Sequence, residues 1–327
     1  MQSESSLKSK VLVTGAAGFI GSLLIERLLS EGKFVVGVDN LSNGSIKNLS
    51  IATKSEYFKF YKMDCTDVVA VTSVMENVTE VWHLAANTDI ITAHRNPMRD
   101  FQDCAFATFC VLEAMRIQKV PRIIFSSSGS VYGALSFQSE VTEKSAPLKS
   151  LSTYGAGKLA SEAFISSYCN LYNIQGFIFR FGNVIGGRIS HGVIFDFVRK
   201  LSRNPENLVI LGNGMQTKNY FLAKDCIDGM LFLSSLKQEE SCVIINLGAQ
   251  DLTNVQTIAQ IVIAEMSLKN TVVQLDGTQF AWPGDQPIVR LNCNMATSLG
   301  WRCATASDDA VRIATKEILE HFYRENK

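Results

Sequence analysis

Neither charge predominates in this sequence: 31 basic and 31 acidic side chains leave a formal net charge of zero. That balance excludes a partner held mainly by long-range electrostatics, and no Lys/Arg-rich run beyond isolated pairs offers the basic face a nucleic acid needs. No apolar run reaches the ~18 residues required to cross a bilayer, so no membrane is expected as a partner. The eight cysteines include no C-x-x-C pair, and with only four histidines no zinc-ligand spacing forms; no metal is expected, and the thiols read as reduced and mostly buried. The opening "MQSESSLKSK" has no apolar signal-peptide core and no cleavage-site pattern. No internal repeat, linker or low-complexity tract interrupts the chain. A soluble cytoplasmic protein is the expectation, and 46% hydrophobic with 19% charged residues is ordinary for one.

What is present is an alternation of short β-branched runs with longer helical patterns, the mark of βαβ units and a parallel sheet. Strands are predicted at Val11–Thr14, Phe34–Val38, Tyr57–Tyr61, Glu80–Leu84, Arg122–Ser127 and Gln175–Phe181, and helices at Phe19–Ser30, Met98–Gln118 and Thr153–Tyr172. Six strands with crossovers imply an α/β, doubly wound (Rossmann) sheet. After about Gly182 the rhythm breaks into Gly-, Asn- and Pro-bearing segments, which predicts a dinucleotide-binding domain over residues 1–182 and a smaller lobe over 183–327, laid over the C-terminal edge of the sheet. A return to the sheet near Val243–Leu247 would interleave the two.

The first strand runs straight into Gly15-Ala-Ala-Gly18-Phe-Ile-Gly21 and then an amphipathic helix. Gly15 permits a tight turn, Gly18 lets backbone N–H groups approach a pyrophosphate, and Gly21 allows close helix–strand packing. A glycine-rich turn without a ligand is the other reading. Asp39 ends the next strand about 20 residues on, where a carboxylate can accept both ribose hydroxyls and repel a 2′-phosphate. NAD is therefore expected over NADP, the alternative being a strand-end turn residue.

Further on, "FSSSGSVYG" closes the fifth strand, and "TYGAGK" places Tyr154 and Lys158 at i and i+4 on one helix face. A phenol with a pKa of roughly 10 is a poor base at neutral pH, but a neighbouring cation makes its phenolate accessible. A hydroxyl of the serine cluster could hold the same substrate oxygen, giving a site suited to hydride removal from a carbinol. By itself Tyr-x-x-x-Lys can equally be a solvated surface pair.

Taken together, T-G-x-x-G-F-I-G, "HLAA" (His83–Ala86), "SSSGSVYG", "YGAGK" and "RFGNVIG" resemble the extended short-chain dehydrogenase/reductase family, and within it the UDP-galactose 4-epimerases. The segments "RISHGVIFDFVRKL", "LGNGMQTKNY" and "WPGD" are similar to archaeal-type members. This resemblance implies that Tyr154 is the proton acceptor, Lys158 its electrostatic partner and a ribose ligand, and Ser128 the hydroxyl that orients the sugar oxygen. It implies cofactor contacts from Gly15, Gly18, Phe19, Ile20, Gly21, Asp39, Asn40, Asp64, Leu84, Ala85 and Ala86. Substrate contacts are implied at Asn183, His191, Val193, Lys218, Val289 and Arg290, with Gly192 in the same loop. The reaction implied is oxidation of a nucleotide sugar at C4 to a transient 4-keto sugar, rotation of the sugar, and return of the hydride to its other face. NAD then stays bound, and a homodimer through the helices Met98–Gln118 and Thr153–Tyr172 is implied.

The chain departs from the family pattern in three places. Cys104 stands where an asparagine is common, Lys218 and Asn219 (after Thr217) replace an Arg-Asp pair, and Trp282 replaces an arginine of bacterial epimerases. A bidentate grip on a diphosphate is thereby lost, and Arg290 or Arg188 is the expected substitute charge. A dehydratase or decarboxylase would carry an acid just after the active-site hydroxyl, where Gly129 and Ser130 stand here. An NAD(H)-dependent 4-keto-sugar reductase would use the same Ser128, Tyr154 and Lys158, and a non-catalytic NAD-binding scaffold would not need all three. His83 and His94 are expected to be structural. In the bacterial enzymes, the position matching Val289 lies beside the sugar's C2 substituent, so valine there predicts room for an N-acetyl group.

Overall fold

The computed structural model describes residues 9–88, 95–278, 280–282 and 284–325; the opening "MQSESSLK", His94 and Pro283 lie outside them. The strands of the first half are β1 (Lys10–Thr14), β2 (Phe34–Asp39), β3 (Phe58–Lys62), β4 (Val78–His83), β5 (Arg122–Ser128) and β6 (Gln175–Phe181). Later come β7 (Asn183–Ile185), β8 (Asn207–Ile210), β9 (Thr217–Lys218), β10 (Tyr220–Leu222), β11 (Cys242–Leu247), β12 (Thr253–Asn254), β13 (Val272–Leu275) and β14 (Ile288–Val289). The main helices are α1 (Phe19–Ser30), α2 (Val68–Val74), α3 (Ala107–Gln118), α4 (Thr153–Tyr172), α5 (Val193–Arg203), α6 (Ala223–Ser235), α7 (Val255–Glu265) and α8 (Ser307–Glu325).

A seven-stranded sheet has the order β11-β6-β5-β4-β1-β2-β3, the doubly wound order, with β1 and β4 adjacent where the chain reverses direction across the sheet. The pairs β1/β2, β1/β4, β2/β3 and β4/β5 are parallel. Strands covered on both faces must be apolar throughout, which is why "KVLVT" and "FVVGVD" are buried along almost their whole length. The edge strand β3, "FKFYK", buries only Phe58 and exposes lysines, which discourages further pairing.

The chain divides into two compact units. The first comprises Met1–Ser126, Gly157–Ile178 and Gln238–Val243. Within it α2 packs on α3. The long helix expected over Met98–Gln118 is instead a short helix (Pro97–Asp100), a π-helical segment (Phe101–Phe106) and α3. In that widened segment Cys104 and Ala105 are buried while Phe101 and Phe106 are exposed.

The second unit comprises Ser127–Ala156, Phe179–Lys237 and Ile244–Lys327. It has its own core, in which α5 buries Ile194, Phe197, Val198 and Leu201 at helical spacing against α7 and α8. Small sheets complete it: β7 with β10, β8 with β13, and β9 between β12 and β14.

Candidate active site

In the first unit, the chain leaves β1 through Gly15 at φ +68°, and a Cβ there would lie 2.9 Å from both Ala85 N and Leu84 C. At Gly21 a Cβ would lie 2.1 Å from the Gly15 carbonyl oxygen, so no side chain fits without opening the turn. Gly18 caps α1 with backbone alone, and among the described residues no side chain hydrogen-bonds at the cap, ahead of Phe19 and Ile20. A helix N-terminus without a side-chain cap, reached through a turn of glycines and alanines only, fits a pyrophosphate.

Asp39 ends β2 nearly buried. Its Oδ2 accepts the Ala17 N–H at 3.0 Å and its Oδ1 the Leu41 N–H at 2.7 Å. Burial raises its pKa, and the two backbone donors offset part of that rise. Each oxygen keeps a second lone pair, so the fixed carboxylate can still accept hydroxyls. Asn40 donates to Asp64 Oδ2 at 2.8 Å, and Thr66 donates to Asp64 Oδ1 from its backbone at 2.9 Å and its hydroxyl at 2.7 Å. Burial pushes the Asp64 carboxyl upward, but these donors outweigh it and the pKa falls below its usual value. The Leu84 and Ala85 N–H groups both donate to Thr14 Oγ1 at 3.2 Å, and Ala86 follows them. Asp39→Ala is expected to narrow the preference for NAD over NADP by about tenfold if, as proposed, this carboxylate accepts the ribose hydroxyls and opposes a 2′-phosphate. Titration of cofactor-stripped protein with each dinucleotide checks this; equal affinities before mutation would remove the ribose role.

Lys158, also in the first unit, is 2% exposed. Its ammonium donates to the Ser126 carbonyl at 2.6 Å and lies 4.6 Å from the centre of the Phe125 ring. Burial lowers its pKa, opposed by the Cys104 thiol and the Glu162 carboxylate. Gly157 lets Cys104 come close: a Cβ there would lie 2.9 Å from Cys104 Cβ.

In the second unit, Ser128 ends β5 and its Oγ accepts the Ser130 N–H at 3.1 Å. This turn packs on the first turn of α4, next to Tyr154: a Cβ on Gly155 would lie 2.8 Å from Ser130 O. From the other side, Gln286 Nε2 donates to Ser130 O at 3.2 Å, and a Cβ on Gly129 would lie 3.3 Å from Val289 Cγ1 and 3.2 Å from Phe181 O. Val289 pairs in register with Lys218 across β14 and β9. Asn183 donates its N–H to Asn219 O at 2.7 Å. The second unit thus gathers the Ser128 turn, Val289, Lys218 and Asn183. His191 and Gly192 are exposed at the start of α5, with Val193 half-buried, and Arg290 is exposed with its carbonyl accepting the Val141 N–H at 2.9 Å.

Three partners could not be anticipated from spacing. Asp285 lies 3.5 Å from Lys218 Nζ, Gln286 holds the serine turn, and Trp282 presents its ring to Lys218 at 5.4 Å. The substitution of Asn219 also has a physical reason. Its amide donates to the carbonyls of Ala249 at 2.7 Å and Asp251 at 3.3 Å while Oδ1 accepts the Leu291 N–H at 3.0 Å, and a carboxylate could not make the first two bonds.

Residues 11–248 match the NAD dependent epimerase/dehydratase family. A Mycolicibacterium smegmatis UDP-glucose 4-epimerase is 36% identical over 228 residues, covering 68% of this chain and 72% of that one. A Methanocaldococcus jannaschii protein to which UDP-glucose 4-epimerase activity is ascribed is 30% identical over 300 residues, covering 89% of this chain and 92% of that one. A crystal structure of a UDP-galactose 4-epimerase superposes with a TM-score of 0.83 at 31% identity, covering 95% of this chain and 99% of the other.

Proposed function

Because the chain belongs to the NAD dependent epimerase/dehydratase family, we propose that it is a UDP-hexose 4-epimerase that works on the UDP-glucose/UDP-galactose pair and also admits the N-acetylhexosamine pair. The observation that carries this reading is the Ser128-Gly129-Ser130 turn packed against the helix start beside Tyr154. The turn offers hydroxyls and no acid. At Gly129 an added Cβ would meet Phe181 O, Leu291 and Val289 at 3.2–3.3 Å, so any side chain there would have to push these neighbours aside. Elimination chemistry needs an acid there, so the dehydratase branch is disfavoured.

In this reading Tyr154 takes the proton of the sugar 4-hydroxyl and Ser128 holds the same oxygen. Lys158, one helical turn on, lowers the phenol's proton affinity, and its burial strengthens that effect because water screens it little. Bound NAD supplies the hydride acceptor and donor at C4. Gly15, Gly18, Gly21, Asp39, Asn40, Asp64 and the Leu84–Ala86 backbone hold the dinucleotide, and Asn183, His191, Val193, Lys218 and Arg290 grip the nucleotide diphosphate while the sugar turns.

The test is NMR product analysis after incubating the protein, without added cofactor, with UDP-glucose and with UDP-N-acetylglucosamine. The C4 epimers are expected. Oxidation of added NADH by a 4-keto sugar, with no epimerisation, would make the protein a reductase. A 4-keto-6-deoxy product would make it a dehydratase.

A homodimer and a cytoplasmic location belong to the same proposal. Helices α3 and α4 expose Ile117, Phe164, Leu171 and Tyr172, beside an aromatic cluster in which Phe109 meets Phe164 at 5.6 Å and Tyr168 at 6.2 Å. Aromatic-rich exposed faces of this kind are what a partner copy covers. Phe164→Glu is expected to shift the protein to monomer in sedimentation; a wild-type monomer would refute the dimer. Seven buried thiols and one half-buried thiol, all unpaired, suit a reducing compartment; fractionation of cells would check it.

A further inference from the structure

Thr14 and His83 are register partners at the ends of β1 and β4, where the strand order of the sheet reverses. His83 is wholly buried, stacks on Phe125 at 5.6 Å, and bridges two hydroxyls: Thr14 Oγ1 lies 2.7 Å from Nδ1 and Thr108 Oγ1 lies 3.0 Å from Nε2. Counting protons fixes the direction of each bond. Thr14 Oγ1 already accepts the Leu84 and Ala85 N–H groups, so its own proton goes to Nδ1. The ring proton therefore sits on Nε2 and is donated to Thr108. Thr108 has a single proton, which it shares between Cys104 O at 2.7 Å and Ser161 Oγ at 3.0 Å, while Ser161 gives its own to Gly157 O at 2.9 Å. Burial first, then the charge of Lys158, holds the His83 pKa down to about 3, so the ring stays neutral with one donor and one acceptor.

We propose that His83 is a positioning residue of the reaction. Through Thr14 it seats the Leu84–Ala85 backbone against Gly15 of the dinucleotide turn, and through Thr108 and Ser161 it fixes Gly157, the neighbour of Lys158. The cradle and the lysine are thereby held in one register by a single ring. The proposal rests on the site reading given above, in which Leu84, Ala85 and Lys158 face the cofactor. The neutral imidazole supplies an acceptor on one side and a donor on the other, which a protonated ring would not. The bulk of the ring is a separate property, and the two can be separated by substitution.

Three variants do so. His83→Phe keeps ring volume and the stack on Phe125 but removes both polar atoms. His83→Asn keeps an acceptor in the place of Nδ1 for Thr14 and gives up Thr108. Thr108→Val breaks the far end alone. The NAD dissociation constant of stripped protein, Tm, and kcat and KM for UDP-glucose at saturating NAD are measured for each. His83→Phe is expected to weaken NAD about tenfold and lower kcat about tenfold with KM within about twofold, the scale of a buried hydrogen bond lost at each end. His83→Asn should restore NAD affinity but not kcat, and Thr108→Val should lower kcat with NAD affinity intact.

Wild-type NAD affinity and kcat in His83→Phe would overturn the proposal. So would equal losses in His83→Phe and His83→Asn that follow Tm alone, since packing would then account for everything. If His83→Phe fails to fold, unchanged kcat in Thr108→Val overturns the link to Lys158. If the parent protein turns over no UDP-sugar, the epimerase reading fails, while the NAD affinities still decide the cradle half of the proposal.

Discussion

Tyr154→Phe is expected to lower turnover roughly 10³-fold while leaving NAD bound, because it deletes the oxygen proposed to remove the substrate proton. The ring, and with it the packing at the start of α4, is retained. The turn at Gly15–Gly21 and the Asp39 carboxylate, held by the Ala17 and Leu41 N–H groups, use none of its atoms. Lys158→Met should behave differently. It removes a buried ammonium that donates to Ser126 O at 2.6 Å, so it should cost both activity and NAD affinity. Turnover in the steady state, paired with the NAD released from denatured protein, separates the two variants. Near-wild-type turnover in Tyr154→Phe would show that another group takes the proton.

The sheet was legible because parallel strands buried on both faces must be apolar runs, and a run such as "QGFIFRF" has no other use. Helix α4 is legible at both ends, Thr153 and Tyr172. The region after Met98 is not: the π-helical segment Phe101–Phe106 keeps the composition of a helix, and composition does not reveal an extra residue in a turn. Helix α2, "VVAVTSV", is not legible in the sequence because β-branched residues carry the opposite local preference, and its burial of Val71 and Val74 decides the matter.

The same division holds for the site. Gly15 and Gly21 are legible because one short turn fixes their spacing, and Asp39 because it ends the next strand. Lys218 and Asp285 stand 67 residues apart, and Ser130 and Gln286 stand 156 apart, so only tertiary structure brings them together. His83 is a similar case: "HLAA" was visible as a segment, but a ring spanning Thr14 and Thr108 was not.

Val289→Tyr is expected to suppress activity on UDP-N-acetylglucosamine by about 100-fold and on UDP-glucose by less than about fivefold, a steric discrimination between otherwise equal substrates. Val289 is 5% exposed on β14, in register with Lys218, and its Cγ1 would lie 3.3 Å from a Cβ on Gly129, the residue after Ser128. A side chain there borders the turn proposed to hold the sugar, and a tyrosine ring would crowd that turn where valine does not. The buried position cannot absorb that ring inward, since overpacking of this kind typically costs about 1–3 kcal/mol. The ring is therefore expected to be displaced toward the serine turn, where an acetamido group would meet it and a hydroxyl would not. The ratio of kcat/KM for the two substrates in parent and variant measures this directly. Equal loss on both would mean the ring disturbs the Ser128 turn itself, and a parent enzyme inactive on the acetamido sugar would mean that some other side chain closes the pocket.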